Sequence, residues 1–151
     1  MDSVHVSRDL HAADLVALIV EKPLGGCGIG YLMEGAANAG FSEFAFSVTA
    51  LECISPNYSF GHELGHNMGC NHARSDGTGL GAFDFSFGFK DPQETFRTIM
   101  AYDCPSGCPR VRHFSNPSVT FTGKPTGTAT ENNAQSINDV RRLVANFRRS
   151  P

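Results

Sequence analysis

Eleven consecutive residues, His62-Glu63-Leu64-Gly65-His66-Asn67-Met68-Gly69-Cys70-Asn71-His72, concentrate the side chains best suited to chemistry. Placed on a helix, His62 and His66 are four residues apart, so their imidazoles lie one above the other on the same face and form a two-point metal clamp. Glu63 stands beside the first of them, within reach of a water at the metal but directed away from the ligand position, which suits a general base. Gly69 falls where the helix must stop, since glycine takes the left-handed conformation without a Cβ penalty. Three residues later His72 arrives to close a three-imidazole site. Three neutral nitrogens with an open fourth position describe a catalytic zinc site, because structural zinc is normally closed by four protein ligands. Histidines satisfied by ordinary packing on an amphipathic helix are the plain alternative for His62 and His66 alone.

The elements that must position these residues can be read around them. The apolar run over residues 15–20 is continuous, which predicts a strand buried on both faces in the middle of a sheet. Residues 1–13 read as a short polar helix end. Pro23, Gly25, Gly26 and Gly28 mark a turn, after which Ile29, Gly30, Tyr31, Leu32 and Met33 form a glycine-weakened strand suited to a sheet edge. A third strand is expected over 44–49. Ser55 and Pro56 look like an N-cap and first helical position, launching a helix over about 57–68. Asn57-Tyr58-Ser59 matches a glycosylation sequon, which at the mouth of that helix is read as a chance match. Phe83, Phe85, Phe87 and Phe89 alternate with small or polar residues and predict an extended segment burying an aromatic row in the core. Ile137, Val140, Leu143, Val144 and Phe147 recur at helical spacing, giving a C-terminal helix with Arg141, Arg142, Arg148 and Arg149 on its solvated side.

Composition bounds the rest. A chain of 151 residues fits one domain that buries roughly two thirds of its unfolded surface. Twelve Lys+Arg against fifteen Asp+Glu, a net charge of −3, with no long run of either sign, gives no reason to expect nucleic acid or an anionic membrane as partner. The longest apolar run is too short to span a bilayer, and residue 1 is not followed by a secretory-type leader. Five cysteines, at 27, 53, 70, 104 and 108, in a chain whose metal ligands are histidines point to disulfides and to a secreted or periplasmic setting; buried reduced thiols are the alternative. About fifteen pairings are open. Cys27 with Cys53 is preferred because each flanks a strand-like run, Cys104 with Cys108 can close a small loop, and Cys70 is the expected leftover. Asp76, Asp84, Asp91 and Asp103 have no calcium-loop spacing and read as solvated loop carboxylates, so calcium is left unassigned.

The motif His-Glu-x-x-His-x-x-Gly-x-x-His, followed by Thr98-Ile99-Met100-Ala101-Tyr102, resembles that of the metzincin zinc metallopeptidases. The tract over 110–148 is similar to the C-terminal part of bacterial reprolysin-like (adamalysin-like) members. The resemblance implies an α+β zincin fold: a small mixed sheet over the zinc helix, an irregular lower subdomain and a C-terminal helix. Over residues 1–151 it implies a single catalytic domain, shortened at its N-terminus, with an upper subdomain over 1–69 and a lower one over 70–151. Residues 29–33 would align an extended peptide substrate, Met100 would form an apolar floor beneath the ligands, and residues 113–119 would shape the pocket for the residue after the scissile bond. Tyr102, two positions after Met100, corresponds to a tyrosine that approaches zinc in astacin-like and serralysin-like members. It is therefore a candidate auxiliary ligand or transition-state donor, with simple packing as the other reading.

Two departures accompany the likeness. Ala73 stands where reprolysin-like members carry aspartate, and members usually have about two further strands and a long helix before the part present here. A preceding segment or a partner chain is thus expected to complete the sheet. The activity implied is zinc-dependent endopeptidase action on protein or peptide substrates, with Glu63 as base. The competing readings are a zinc-binding but catalytically weak interaction module and an amidase acting on a non-protein amide.

Overall fold

In a computed structural model, residues 2–22 and 25–148 are described. The turn expected at Pro23 and the solvated Arg149 lie outside the described residues. Helix α1 (Asp2–Leu10) leads into strand β1 (Val16–Val20), followed by β2 (Gly28–Gly30), β3 (Phe46–Ala50) and helix α2 (Ser59–Asn67). Beyond it come β4 (Asn71–Ala73), β5 (Phe87–Gly88), the β6 (Thr120–Phe121) and β7 (Lys124–Pro125) hairpin, and helix α3 (Asn133–Val144). The small mixed sheet, the helix under it, the irregular second half and the C-terminal helix give the expected α+β class.

The first sheet runs β1-β3-β2, with β1 parallel to β3 in the register Val16↔Phe46 and β2 antiparallel in the register Ile29↔Val48. β1 therefore sits at an edge instead of the centre predicted from its apolarity, and Leu18 and Ile19 are 57% and 41% exposed. Apolar content reports a tendency to be buried and does not select the neighbours. The centre belongs to β3, whose Ser47 and Thr49 are buried.

α2 packs under β2 and β3, clipped there by Asn67, whose Nδ2 donates to Tyr31 O at 2.9 Å and Phe46 O at 3.2 Å. The helix does not start at Ser55-Pro56. A 3₁₀ turn (Leu51–Cys53) precedes it, and Tyr58, in a left-handed conformation with φ 54°, is the residue from which it departs. The Cys27–Cys53 disulfide ties this approach to the head of β2, a long-range constraint that outranks a local capping preference. At the other end the prediction holds. Gly69 has φ +76° and donates to His66 O at 3.0 Å, while Cys70 N donates to Gly65 O at 2.9 Å, the paired bonds of a Schellman stop. A Cβ on Gly69 would lie 2.4 Å from that of Ala82.

Three apolar clusters hold the chain. Met33, Phe41, Ala45, Ala82 and the α3 residues Val140 and Val144 form the first; Cys70, Ile99 and Met100 the second; Phe89, Phe96 and Val111 the third. The expected phenylalanine row is divided between them. Phe83 and Phe85 stack at 5.1 Å in a turn closed by Ser86, which donates from its N to Phe83 O and from its Oγ accepts Phe83 N, so only the stretch through Phe87 and Phe89 is extended. Arg141 and Arg142 are exposed, but Arg148 is an exception to the solvated side: it pairs with Asp9 at 2.5 Å and Glu43 at 3.1 Å, and its N donates to Asp14. The end of α3 passes over the start of the chain, which supplies carboxylates no local pattern could reveal. Both preferred disulfides, Cys27–Cys53 and Cys104–Cys108, are present, and Cys70 is free and buried.

Candidate active site

His62 and His66 project from one face of α2, as their spacing requires, and β4 carries His72 back to them after the Gly69 reversal. His62 Nδ1 donates to Ile99 O at 2.8 Å and His66 Nδ1 to Cys70 O at 2.9 Å, bonds that assign the tautomer and leave Nε2 as the free acceptor on each ring. The Nε2 of His72 lies 3.1 Å from both of theirs. Burial, reinforced for His62 by His66, holds His62 down to about 3 and His66 to about 4, and burial lowers His72 as well. The rings are neutral at pH 7. With the lone pairs of His62 and His66 aimed at His72 Nε2, the three nitrogens lie close enough to share one cation, so the donor set fits a divalent metal. Among the described residues these three histidines are the group so disposed.

Glu63, buried on the same helix, faces β2. Burial pushes its carboxyl up to about 7, with Arg110 pulling the other way. The approach of α2 to β2 is so close that a Cβ on Gly28 would sit 2.6 Å from Glu63 Oε1, and one on Gly30 would sit 2.8 Å from Glu63 O. The glycines read above as weakening a strand are thus what lets it lie against Glu63. β2 is shorter than the 29–33 strand expected. Tyr31 still donates to Phe46 O, but Met33 turns inward, fully buried, with its N donating to His66 O at 3.1 Å, and Leu32 between them is outside the strand. Ile29, 71% exposed, and Tyr31, 59% exposed, face out.

Met100 is fully buried and lies directly under α2: a Cβ on Gly65 would meet its Sδ at 2.6 Å. Ala101 N donates to Thr98 O at 3.1 Å, closing the turn that brings Ile99 O to His62. Tyr102 follows, 48% exposed, its ring centroid 4.1 Å from that of His72. Two residues that sequence patterns did not single out for the site hold this region. Asp76 takes the ion pair of Lys90 and accepts Tyr102 N at 2.8 Å; its side chain is 4% exposed, so it is not the solvated loop carboxylate expected. Arg110 Nη1 donates to Asn57 O at 2.7 Å and Nη2 to Ala101 O at 3.1 Å, joining the approach to α2 with the methionine turn. Asp91, likewise buried, pairs with Lys124 at 2.7 Å, while exposed Asp103 accepts the N–H groups of Cys104 and Cys108. The lone arginine and the scattered aspartates carry no spacing signal; only the fold gives them partners.

The histidines, Glu63, Tyr102, Arg110 and the outer side of β2 line one open cleft of 380 Å³. Two histidines and a buried carboxylate on a helix beneath a mixed sheet, joined by a third histidine from β4, define a zincin-like metal-binding domain. Residues 1–115 match the profile of metallopeptidase family M12, and the chain belongs to that family. It is similar to the peptidyl-Asp metalloendopeptidase of Xanthomonas campestris pv. campestris, 36% identical over 149 residues, which covers 98% of this chain and 34% of the relative. The protein of the same name from Stenotrophomonas maltophilia strain R551-3 is 32% identical over 152 residues, covering 98% and 35%. That from Pseudomonas fragi is 31% identical over 101 residues, covering 66% and 65%. The chain thus spans about a third of the length of the first two relatives. A solved structure described as a chaperone-substrate complex shares the fold with TM-score 0.69 and 19% identity, over 99% of this chain and 23% of that one.

Proposed function

We propose that this chain carries the catalytic centre of a zinc-dependent endopeptidase that acts on protein or peptide substrates. The observation that carries the reading is the convergence of three neutral Nε2 atoms beside a buried carboxylate in an open cleft. Nitrogen-only donors and three protein ligands suit catalytic zinc. Bound there, zinc supplies Lewis acidity, acidifying water and polarising the scissile carbonyl.

The other parts belong to the protein. Ile99 O and Cys70 O fix the ring orientations of His62 and His66. Glu63 takes the proton of the attacking water on a carboxylate oxygen and returns it to the departing amine nitrogen. Its raised proton affinity suits that exchange near neutrality, and a cation held by His62, His66 and His72 would favour the ionised carboxylate beforehand. The outer edge of β2, with Ile29 and Gly30, offers main-chain groups to an extended peptide, the cleft lying between an upper part over 1–69 and a lower part over 70–151. Met100 floors the ligands, and Tyr102 beside His72 is the candidate donor to charge developing on the carbonyl oxygen.

The relatives named peptidyl-Asp metalloendopeptidase support aspartate next to the scissile bond. Two disulfides support a secreted or periplasmic location, and the exposed edge of β1 supports further polypeptide covering the sheet.

The test measures zinc content and casein hydrolysis on the same sample. Glu63→Gln is expected to keep stoichiometric zinc and lose at least about 10²-fold in turnover, and His66→Ala to lose both. Full turnover in zinc-replete Glu63→Gln would overturn the mechanism. Zinc without hydrolysis in the unsubstituted chain would favour a binding module instead.

A further inference from the structure

Arg110 is a half-buried cation in the metal cleft that feels Asp103 and Glu63 only at a distance. Among the described residues it forms no ion pair. Asp103, the nearby carboxylate, is held by Arg97 at 3.3 Å and by two turn N–H groups. The guanidinium gives hydrogen bonds to Asn57 O and Ala101 O, and among the described residues its remaining N–H groups find no acceptor, Nε being buried and unpartnered there. A buried charge left without its counter-charge costs stability, so its place is explained by a partner that arrives from outside.

The cleft constrains that partner. It is open, it holds the three histidines and Glu63, and Arg110 lines it with them. The two carbonyls belong to separate segments, the one before α2 and the methionine turn, and each holds a different Nη, so the guanidinium is oriented before anything binds. A planar, pre-oriented guanidinium is matched best by a carboxylate.

We propose that Arg110 is the specificity-determining residue of this cleft, donating hydrogen bonds to the side-chain carboxylate of a substrate aspartate next to the scissile bond. This rests on the peptidase reading above and adds to it the group that reads the substrate. Two other carboxylates could satisfy the same guanidinium chemically, a glutamate side chain and a peptide C-terminus, and both enter the test.

The experiment uses zinc-loaded chain and short peptides with blocked termini, identical except for Asp, Asn or Glu at one position. The unsubstituted protein is expected to show kcat/KM for Asp about tenfold or more above Asn, with Glu below Asp. Arg110→Gln is expected to bring the Asp/Asn ratio close to one through loss on the Asp peptide alone, with zinc content unchanged. Arg110→Lys, which keeps the charge but not the fork, is expected to give an intermediate ratio, and it decides the matter should Arg110→Gln not fold. A ratio that neither substitution moves overturns the proposal, as does equal loss on both peptides, which is the signature of a purely structural clamp. A preference for a free over an amidated C-terminus that Arg110→Gln abolishes assigns the guanidinium to a chain end and also overturns it. Should the protein cleave none of the peptides, the peptidase reading fails, and anisotropy titration of the same labelled peptides still decides the inference. Tighter binding of the Asp peptide, lost in Arg110→Gln, upholds it, and equal binding of Asp and Asn peptides overturns it.

Discussion

Glu63 is placed by what its neighbours lack. Gly28 and Gly30 both face it, but they meet different atoms: an added Cβ at Gly28 collides with the Glu63 carboxylate, one at Gly30 with its backbone oxygen. The side chain can rotate away, whereas the helix backbone cannot. Gly28→Ala is therefore expected to lower kcat by roughly 10- to 100-fold, with zinc content and melting temperature nearly unchanged, because a carboxylate displaced by about an ångström is out of position for proton transfer. Gly30→Ala should instead force β2 off α2 and cost about 1–3 kcal/mol of stability, as other overpacked sites do. Parallel kcat and thermal-melt measurements on the two variants check this, and wild-type kcat in Gly28→Ala would refute the assignment. Cys70 illustrates the opposite case. It lies inside the metal motif, yet burial drives its thiol pKa far upward, so it stays protonated and packs with Ile99 and Met100.

At the scale of elements, the helix carrying the histidines is nine residues long, too short to persist in isolation, and it depends on what holds its two ends. The Gly69 stop secures one end through local bonds. The other is secured by Cys27–Cys53, which joins the chain just before β2 to the 3₁₀ turn ahead of α2 across a sequence separation of 26. Closing a loop of that length is worth about 3–4 kcal/mol in the chain-entropy account, against about 2 kcal/mol for the Cys104–Cys108 loop of separation 4. Urea midpoints of the Cys27→Ser/Cys53→Ser and Cys104→Ser/Cys108→Ser proteins should fall in that order, and the first pair should also raise KM, since Cys27 borders the cleft. The reverse order would show that the cleft end of α2 is held by packing alone.

Over the whole molecule, the two halves of the sequence are joined by α3, whose Val140 and Val144 pack with Met33, Phe41 and Ala45, and by Arg148, which reaches Asp9 and Glu43. The second half has little regular structure and relies on buried polar anchors. Asp91 is one. Burial alone would raise its carboxyl, but bonds from Lys124 and Thr95 outweigh that and hold it below its ordinary 3.8. A carboxylate depressed on folding stabilises the native state above its unfolded pKa and loses that contribution as pH falls through the lower folded value. Asp91→Asn is thus expected to cost about 1–3 kcal/mol at neutral pH, with the difference from the unsubstituted protein shrinking below about pH 3.8. Thermal melts as a function of pH measure this, and a difference that stays constant into acid would remove Asp91 from the account.

The spacing that puts His62 and His66 on one face, the Gly69 stop, the two preferred cysteine pairs and the amphipathic α3 were legible in the chain itself, because each depends on contacts a few residues apart or on a residue type with few uses. His62 and His66 need only the helical repeat to share a face, and Gly69 needs only its missing Cβ to reverse the chain. What the tertiary structure decided was the placing of residues whose types have many uses: β3 and not β1 at the centre of the sheet, Tyr58 and not Ser55 at the head of α2, Arg148 on Asp9. The same holds for Asp76 on Tyr102 N and for Arg110 on Asn57 O and Ala101 O. An isolated charge or glycine has no periodicity to betray it. Its role is set by which backbone or counter-charge the fold brings within a few ångströms, and that is determined only when distant segments pack.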